Sequence, residues 1–244
     1  MKRCSSLIFL ISVLVVLPLN AIQESFLRQF IFPGDLVFDV GAHVGKKTIE
    51  YLNLGASVVC FEPQPVCIAT LRGKFANNPR VWIEEKGLAD KPGILSLAIC
   101  NVANTISTFS DEWQAKDGRF YSTGYRWNDH IQVEVVTLDA MIARYGCPAF
   151  CKIDVENFEY EVLKGLTQPI PALSFEFAIE ILHNTKKCLD HLVSLGYKKF
   201  NFAIAENECL ALVDWVSAEQ VIATIEQTSR TYHLLWGDVY AKFD

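Results

Sequence analysis

Between Asp35 and Phe61 two continuous apolar runs, Leu36-Val37-Phe38-Asp39-Val40 and Ser57 to Phe61, flank a helix-prone stretch from Lys46 to Leu54 that closes at Gly55. Strands apolar along their whole length, instead of alternating, belong to sheets covered on both faces by helices. Strand, helix and strand within about thirty residues therefore predict a parallel α/β sheet. The rhythm continues with a helix over Ile68 to Phe75 and a strand over Val81 to Ile83. After a break come a strand at Phe150 to Ile153, a helix at Tyr160 to Leu166, a strand at Leu173 to Phe177 and a helix at Cys188 to Leu195. Lys198 to Phe202 and Asp238 to Ala241 read as the last strands, with an amphipathic helix near Ser217 to Thr228 between them.

The break is informative. Ile94 to Cys100 and His130 to Leu138 are strand-like, but about thirty residues between them carry no helical period and are rich in Ser, Thr, Asn and aromatics. Loops this long inside a compact domain are functional or disordered. Phe109, Trp113, Phe120, Tyr121, Tyr125 and Trp127 argue for order, and the segment 104–130 is expected to be a lid that covers substrate. One domain, 22–244, accounts for everything after the leader.

Composition narrows the partners. With 28 acidic against 22 basic residues the net charge is −6, and the lysine pairs 46–47, 186–187 and 198–199 form no stripe. Nucleic acid is not an expected partner. Apolar content of 51% excludes a disordered chain.

In a doubly wound sheet, ligands sit beyond the carboxyl ends of the strands. After the first strand comes Asp39-Val40-Gly41-Ala42-His43-Val44-Gly45. Glycines four apart suit a tight turn close to a ligand, although they could simply close that turn. A dinucleotide fingerprint needs glycine where His43 stands, so a cofactor without a pyrophosphate is expected and an NAD-dependent oxidoreductase is disfavoured. Glu62, at the end of the second strand, can accept both hydroxyls of a ribose and would repel a 2′-phosphate. A nucleoside cofactor without a diphosphate is S-adenosylmethionine. Asp154 and Glu156, after the strand expected beside the first, could orient the cofactor's ammonium, hold a substrate hydroxyl or take its proton. Glu156 also reads as an acid favoured by a helix N-terminus. Glu176 and Glu180 face the same choice, and His183 is as readily a surface residue as a base.

The leader and the cysteines point in opposite directions. Met1-Lys2-Arg3, an apolar run from Leu7 to Leu19 and then Asn20-Ala21 have the order of a signal peptide or marginal anchor, with membrane association through residues 7–22. At ~1.5 Å per residue the run reaches about 20 Å, short of a ~30 Å hydrocarbon core. A buried N-terminal helix is the other reading. Cys60, Cys100 and Cys151 sit in apolar strand-like runs as small hydrophobes, and no Cys/His cluster has metal spacing, so no metal is expected. Free thiols favour a reducing compartment, the leader an export route.

Several blocks recur in order over about 200 residues: Asp35 to Thr48, Phe61-Glu62-Pro63, Asn104 to Thr108, Val136-Thr137-Leu138-Asp139, Lys152 to Glu156 with Leu163 to Leu166, and Leu173 to Phe177. Together they resemble the FkbM family of S-adenosylmethionine-dependent methyltransferases, and the closing Trp236 to Ala241 is similar to one branch of it. The resemblance implies a Rossmann-like class I methyltransferase fold. That fold has a mostly parallel seven-stranded sheet with a reversed C-terminal strand, here with an inserted β/loop element. It also implies O-methylation of a small molecule or sugar, at a hydroxyl or a carboxylate, and a small-molecule or glycan acceptor as partner. By position, Asp39, Gly41, His43 and Gly45 would form the methionine-side loop, Glu62 would hold the ribose, and Asp154 and Glu156 would stand near the transferred methyl. Asp154, Glu156 and His183 are the candidate catalytic groups. Family members usually carry glycine where this chain has Asn157, a residue that tolerates left-handed backbone. A degenerate, exported or membrane-tethered binding protein on the same fold is the rival reading.

Overall fold

A computed structural model describes residues 26–115, 120, 123–207 and 209–243. The leader at 1–21 and Tyr121 lie outside the described residues. Among the described residues no helix is long and apolar enough to cross a membrane.

The main sheet has seven strands in the order β3-β2-β1-β7-β8-β10-β9. These are β1 (Leu36–Val40), β2 (Ser57–Phe61), β3 (Val81–Glu84), β7 (Phe150–Ile153), β8 (Ala172–Ala178), β9 (Lys199–Ile204) and β10 (Trp236–Lys242). β1 pairs in parallel with β2 and β7, and β7 with β8, while β10 runs antiparallel to both β8 and β9. This is the expected class I methyltransferase order with its reversed strand. The switch point falls between β1 and β2 on one side and β7 on the other, and the functional loops converge there.

Both faces are covered, which is why most of the strand residues are apolar. From β1, Phe38 and Val40 enter the larger core with Phe175, Phe177, Leu189 and Val221, whereas Val37 enters the opposite core with Tyr51, Val58 and Phe150. Each fully buried side chain of this size contributes roughly 1.5–3 kcal/mol. Helices α1 (Lys46–Asn53) and α2 (Pro65–Phe75) pack on the second face. Helices α3 (Leu138–Tyr145), α4 (Glu159–Lys164), α5 (Leu182–Ser194) and α6 (Ala218–Ser229) pack on the first. A reciprocal Ser217–Gln220 capping box starts α6.

The inserted element is a second sheet, β4-β6-β5, formed by β4 (Gly87–Leu88), β5 (Gly93–Ile99) and β6 (Asp129–Val136). The expected strand His130 to Leu138 ends two residues early. The Thr137 side chain accepts from Ala140 N–H and starts α3, a helix the hydrophobic pattern did not announce. Of the cysteines among the described residues, all are free; Cys60, Cys100 and Cys151 are buried as expected, and Cys147 and Cys209 are exposed.

Candidate active site

The turn after β1 is shaped by close approach. Gly41 has φ 84°, and a Cβ there would lie 1.8 Å from the Asp154 carbonyl oxygen, so the exits of β1 and β7 can touch only with glycine at this position. His43 also has a left-handed φ of 49°. That conformation aims its backbone N–H at Glu62 Oε2 (2.8 Å), while the Gln64 N–H donates to Glu62 Oε1 (2.8 Å). His43 Nε2 and Asn104 Oδ1 lie within hydrogen-bond distance, 3.1 Å apart. Gly45 (φ 79°) starts α1; a Cβ there would meet the Phe75 ring at 2.6 Å, so it serves helix packing and lines neither cavity described below.

Two cavities flank this turn. The smaller, about 60 Å³, lies between Glu62, Gln64 and the second sheet, where Leu88, Leu97 and Phe109 wall it. The larger, about 250 Å³, runs down the α1 face of the sheet past Asp39, Lys152, Ser174 and Tyr240. They share a wall made of Gly41, His43, Thr105, Asp154 and Glu156.

Register explains the polar floor. Asp39 lies opposite Lys152, Lys152 opposite Ser174, Ser174 opposite Tyr240, and one step outward Glu176 lies opposite Asp238. Lys152 Nζ sits 3.2 Å from Asp154 Oδ2 and 3.1 Å from Asp238 Oδ1. Oxygens of Asp154, Glu156 and Glu176 all lie within 4.8 Å of one another. Burial raises Asp39 to about 6 against the opposing hydrogen bond from Thr48 Oγ1 (2.6 Å). Burial likewise raises Glu62 to about 7 against the backbone bonds from Gln64 and His43. Burial and then the negative neighbours Asp154 and Glu156 hold Glu176 well above the usual carboxylate range. A lysine inside the apolar run Phe-Cys-Lys-Ile-Asp was a visible sign of a buried ion pair that the sequence reading passed over. Asp238 and Ser174 gave no local sign.

The long loop divides between the cavities and a core of its own. Its first part builds the smaller cavity: Thr105, Ser107 and Phe109 line it, and Asn104 bonds both His43 and, through its carbonyl, Gln64 Nε2 (3.0 Å). The next part straps Glu156. Thr108 Oγ1 donates to the Glu156 carbonyl (2.6 Å), and the Trp113 indole N–H donates to Glu156 Oε2 (3.0 Å). Trp113 and Trp127 are buried in a core of the loop's own with Ile106 and Ile181, while Phe109 lines the smaller cavity.

The segment between β7 and α4 carries two left-handed residues in succession, Glu156 (φ 57°) and Asn157 (φ 67°). The acid at the start of α4 is Glu159, which accepts from the Val155 N–H (3.0 Å), so Glu156 is left to face the cavities. Asn157 is 6% exposed, and its Nδ2 donates to Ser110 Oγ (3.0 Å) and Glu112 Oε2 (3.2 Å). Asn184 from α5 donates to Asn157 Oδ1 (2.6 Å). His183 is exposed, 3.3 Å from Glu112, and lines neither cavity. Glu180 lies in the 3-10 turn Ile179–Ile181, also outside both linings.

A family profile described as Methyltransferase FkbM domain matches residues 39–203, more than half of the chain and the stretch from Asp39 to Glu176 that carries most of this site. The chain belongs to the FkbM methyltransferase family. A curated relative, 31-O-demethyl-FK506 methyltransferase FkbM of Streptomyces tacrolimicus, is 28% identical over 156 residues, covering 55% of this chain and 60% of the relative. A precorrin-6y C5,15-methyltransferase structure from Geobacter metallireducens overlaps 91% of this chain and 87% of its own at 13% identity, with a TM-score of 0.46. A putative methyltransferase of Streptococcus mutans, in complex with SAH, overlaps 93% and 98% at 10% identity, with a TM-score of 0.44. Overlaps this loose add nothing to the fold, which the strand order already gives. Within this FkbM domain, Asp39, Gly41, His43, Asp154 and Glu156 line the larger cavity, and Glu62 lines the smaller.

Proposed function

We propose that this FkbM domain is an S-adenosylmethionine-dependent O-methyltransferase acting on a hydroxyl of a small molecule or sugar. The observation that carries the reading is the shared wall: one cavity holds the ribose-type acid Glu62, the other a polar floor, and they meet at Asp154 and Glu156.

The residues present fit the cofactor. Each Glu62 oxygen already accepts one backbone N–H, which fixes the carboxylate plane. A carboxylate offers about four lone-pair sites, so the two backbone bonds leave acceptor capacity for a ribose hydroxyl. Leu88, Leu97 and Phe109 supply an apolar wall for the base, while Asp39 supplies an acid for the cofactor's ammonium.

The bound cofactor supplies a methyl group activated on a sulfonium. The chain itself has to hold the acceptor oxygen in line and accept the hydroxyl proton, so positioning dominates. Glu156 is the proposed base, oriented by Trp113 from one side and by its left-handed backbone from the other. Asp154 is tied to Lys152, and Glu176 stands beside Asp154 and Glu156 at the same wall. Calorimetry with S-adenosylmethionine and S-adenosylhomocysteine, beside Glu62→Ala, tests the first half of this reading. Micromolar binding lost in the variant is expected; no binding by folded protein overturns it and leaves the non-catalytic binding protein. Glu156→Gln keeping full turnover on an identified acceptor would remove the base assignment.

A further inference from the structure

The larger cavity has an uneven charge. Six carboxyl side chains line it, Asp39, Asp154, Glu156, Glu176, Glu206 and Asp238, against the three lysines Lys46, Lys47 and Lys152. Those lysines already have acidic partners. Lys152 bridges Asp154 and Asp238, Lys46 is 2.7 Å from Glu206 at the mouth, and Lys47 is 2.8 Å from Glu50. An anionic acceptor would meet surplus negative charge, and every lysine it could recruit would first have to leave a carboxylate. The floor gives an independent indication. Ser174 Oγ lines the cavity, is 1% exposed, and among the described residues is the buried side-chain polar atom with no hydrogen-bond partner. Such a group costs on the order of 1–3 kcal/mol unless something satisfies it, and Ser174 is among the residues that line the cavity.

We propose that this cavity is the acceptor chamber and that it selects a hydroxyl compound bearing a protonated amine, an amino sugar or amino alcohol, with the ammonium among Asp154, Glu156 and Glu176 and a polar group on Ser174. The inference rests on the methyltransferase reading above and deepens it. Geometry supports the ammonium. Three acceptors around a tetrahedral nitrogen at about 2.8 Å stand about 4.6 Å apart, and the three carboxylates offer oxygens within 4.8 Å of one another. The same chemistry is already realised one step inward, where the Lys152 ammonium lies between Asp154 and Asp238. Burial and then the neighbouring acids raise Glu176 well above the usual carboxylate range, and an incoming cation would favour its charged form.

The test uses the full chain saturated with S-adenosylhomocysteine, so that the cofactor's own ammonium is in place, and follows saturation-transfer NMR with glucosamine, glucose and glucuronic acid. These probes are similar in size and differ in charge. Glucosamine is expected to bind about tenfold tighter than glucuronic acid, with glucose between them. Glu176→Gln should bring glucosamine close to glucose, and Ser174→Ala should weaken glucosamine and glucose several-fold without changing their order. Glucuronic acid binding as well as glucosamine, or no saturation transfer from any probe, overturns the proposal. Glucosamine binding that requires magnesium chloride and disappears in EDTA also overturns it and assigns the three carboxylates to a divalent cation. Failure to bind S-adenosylhomocysteine at all defeats the cofactor reading itself, whereas a reversed charge order on the saturated protein defeats this inference alone.

Discussion

Glu62 couples burial to function at the level of a single side chain. Its carboxyl is raised from an ordinary 4.5 to about 7 because burial penalises the charge more than two backbone N–H groups can recover. The folded state therefore keeps its proton at pH values where the unfolded state has lost it, so this group's contribution to stability is full below about 4.5 and falls as pH rises through about 7. Asp39, raised from 3.8 to about 6, acts in the same direction over a lower window. The thermal midpoint of the ligand-free protein should drop between pH 5 and pH 8, and Glu62→Gln should flatten the upper part of that drop in a calorimetric scan. A ribose diol prefers the ionised carboxylate, so S-adenosylhomocysteine affinity should move the opposite way, strengthening from pH 6 to pH 8 in the wild type and staying flat in Glu62→Gln. Gly41 is a steric counterpart. Gly41→Ala places a methyl group 1.8 Å from the Asp154 carbonyl and should cost at least about 2 kcal/mol in urea unfolding, since neither strand exit can move without disturbing the central pairing.

Among the elements, the segment from β7 to α4 and the strap over it behave as one unit. Asn157 supplies two things there, a tolerated left-handed backbone and a side chain that joins Ser110 and Glu112 of the strap to Asn184 of α5. Substitutions separate them. Asn157→Gly relaxes the backbone and loses the bonds; Asn157→Ala loses the bonds and keeps the strain, so it should be less stable than the glycine variant by about 1 kcal/mol. Both should raise hydrogen exchange across 108–115 while β1 and β7 stay protected, and equal exchange in all three proteins would dissociate the strap from Asn157. The start of α3 makes a simpler case. Thr137→Ala removes the cap on Ala140 N–H and should cost about 1 kcal/mol. Polar residues in the loop were visible in the sequence, but their destination was not. Of the aromatics read as a lid, Trp113 and Trp127 are buried in a core with Ile106 and Ile181, whereas Phe109 lines the smaller cavity.

Across the whole molecule the sheet face beneath α1 carries a row of charge that stands together only once four strands are in register. Lys152 neutralises Asp154 and Asp238 from 10% side-chain exposure. Lys152→Met should destabilise the fold by roughly 3 kcal/mol, because it leaves two partly buried carboxylates without their cation. Adding Asp238→Asn should recover part of that loss, and a double-mutant cycle showing simple additivity would mean that the bridge carries no coupling.

The strand and helix periods, the glycine turn with Glu62 at the next strand end, and the acids after β7 were legible residue by residue, because each depends on neighbours within a few positions. They carried the class I order and the family resemblance with them. The grouping of Glu176 with Asp154 and Glu156, the orphaned Ser174 hydroxyl, the lysine bridge to Asp238 and the strap of Trp113 on Glu156 were decided by tertiary structure. Each joins residues from different strands or loops, and their distances follow from sheet register and backbone conformation, which local pattern does not specify. Gly45 and His183 illustrate the converse: both are prominent in the sequence, yet packing assigns one to a helix start and the other to the surface beside Glu112.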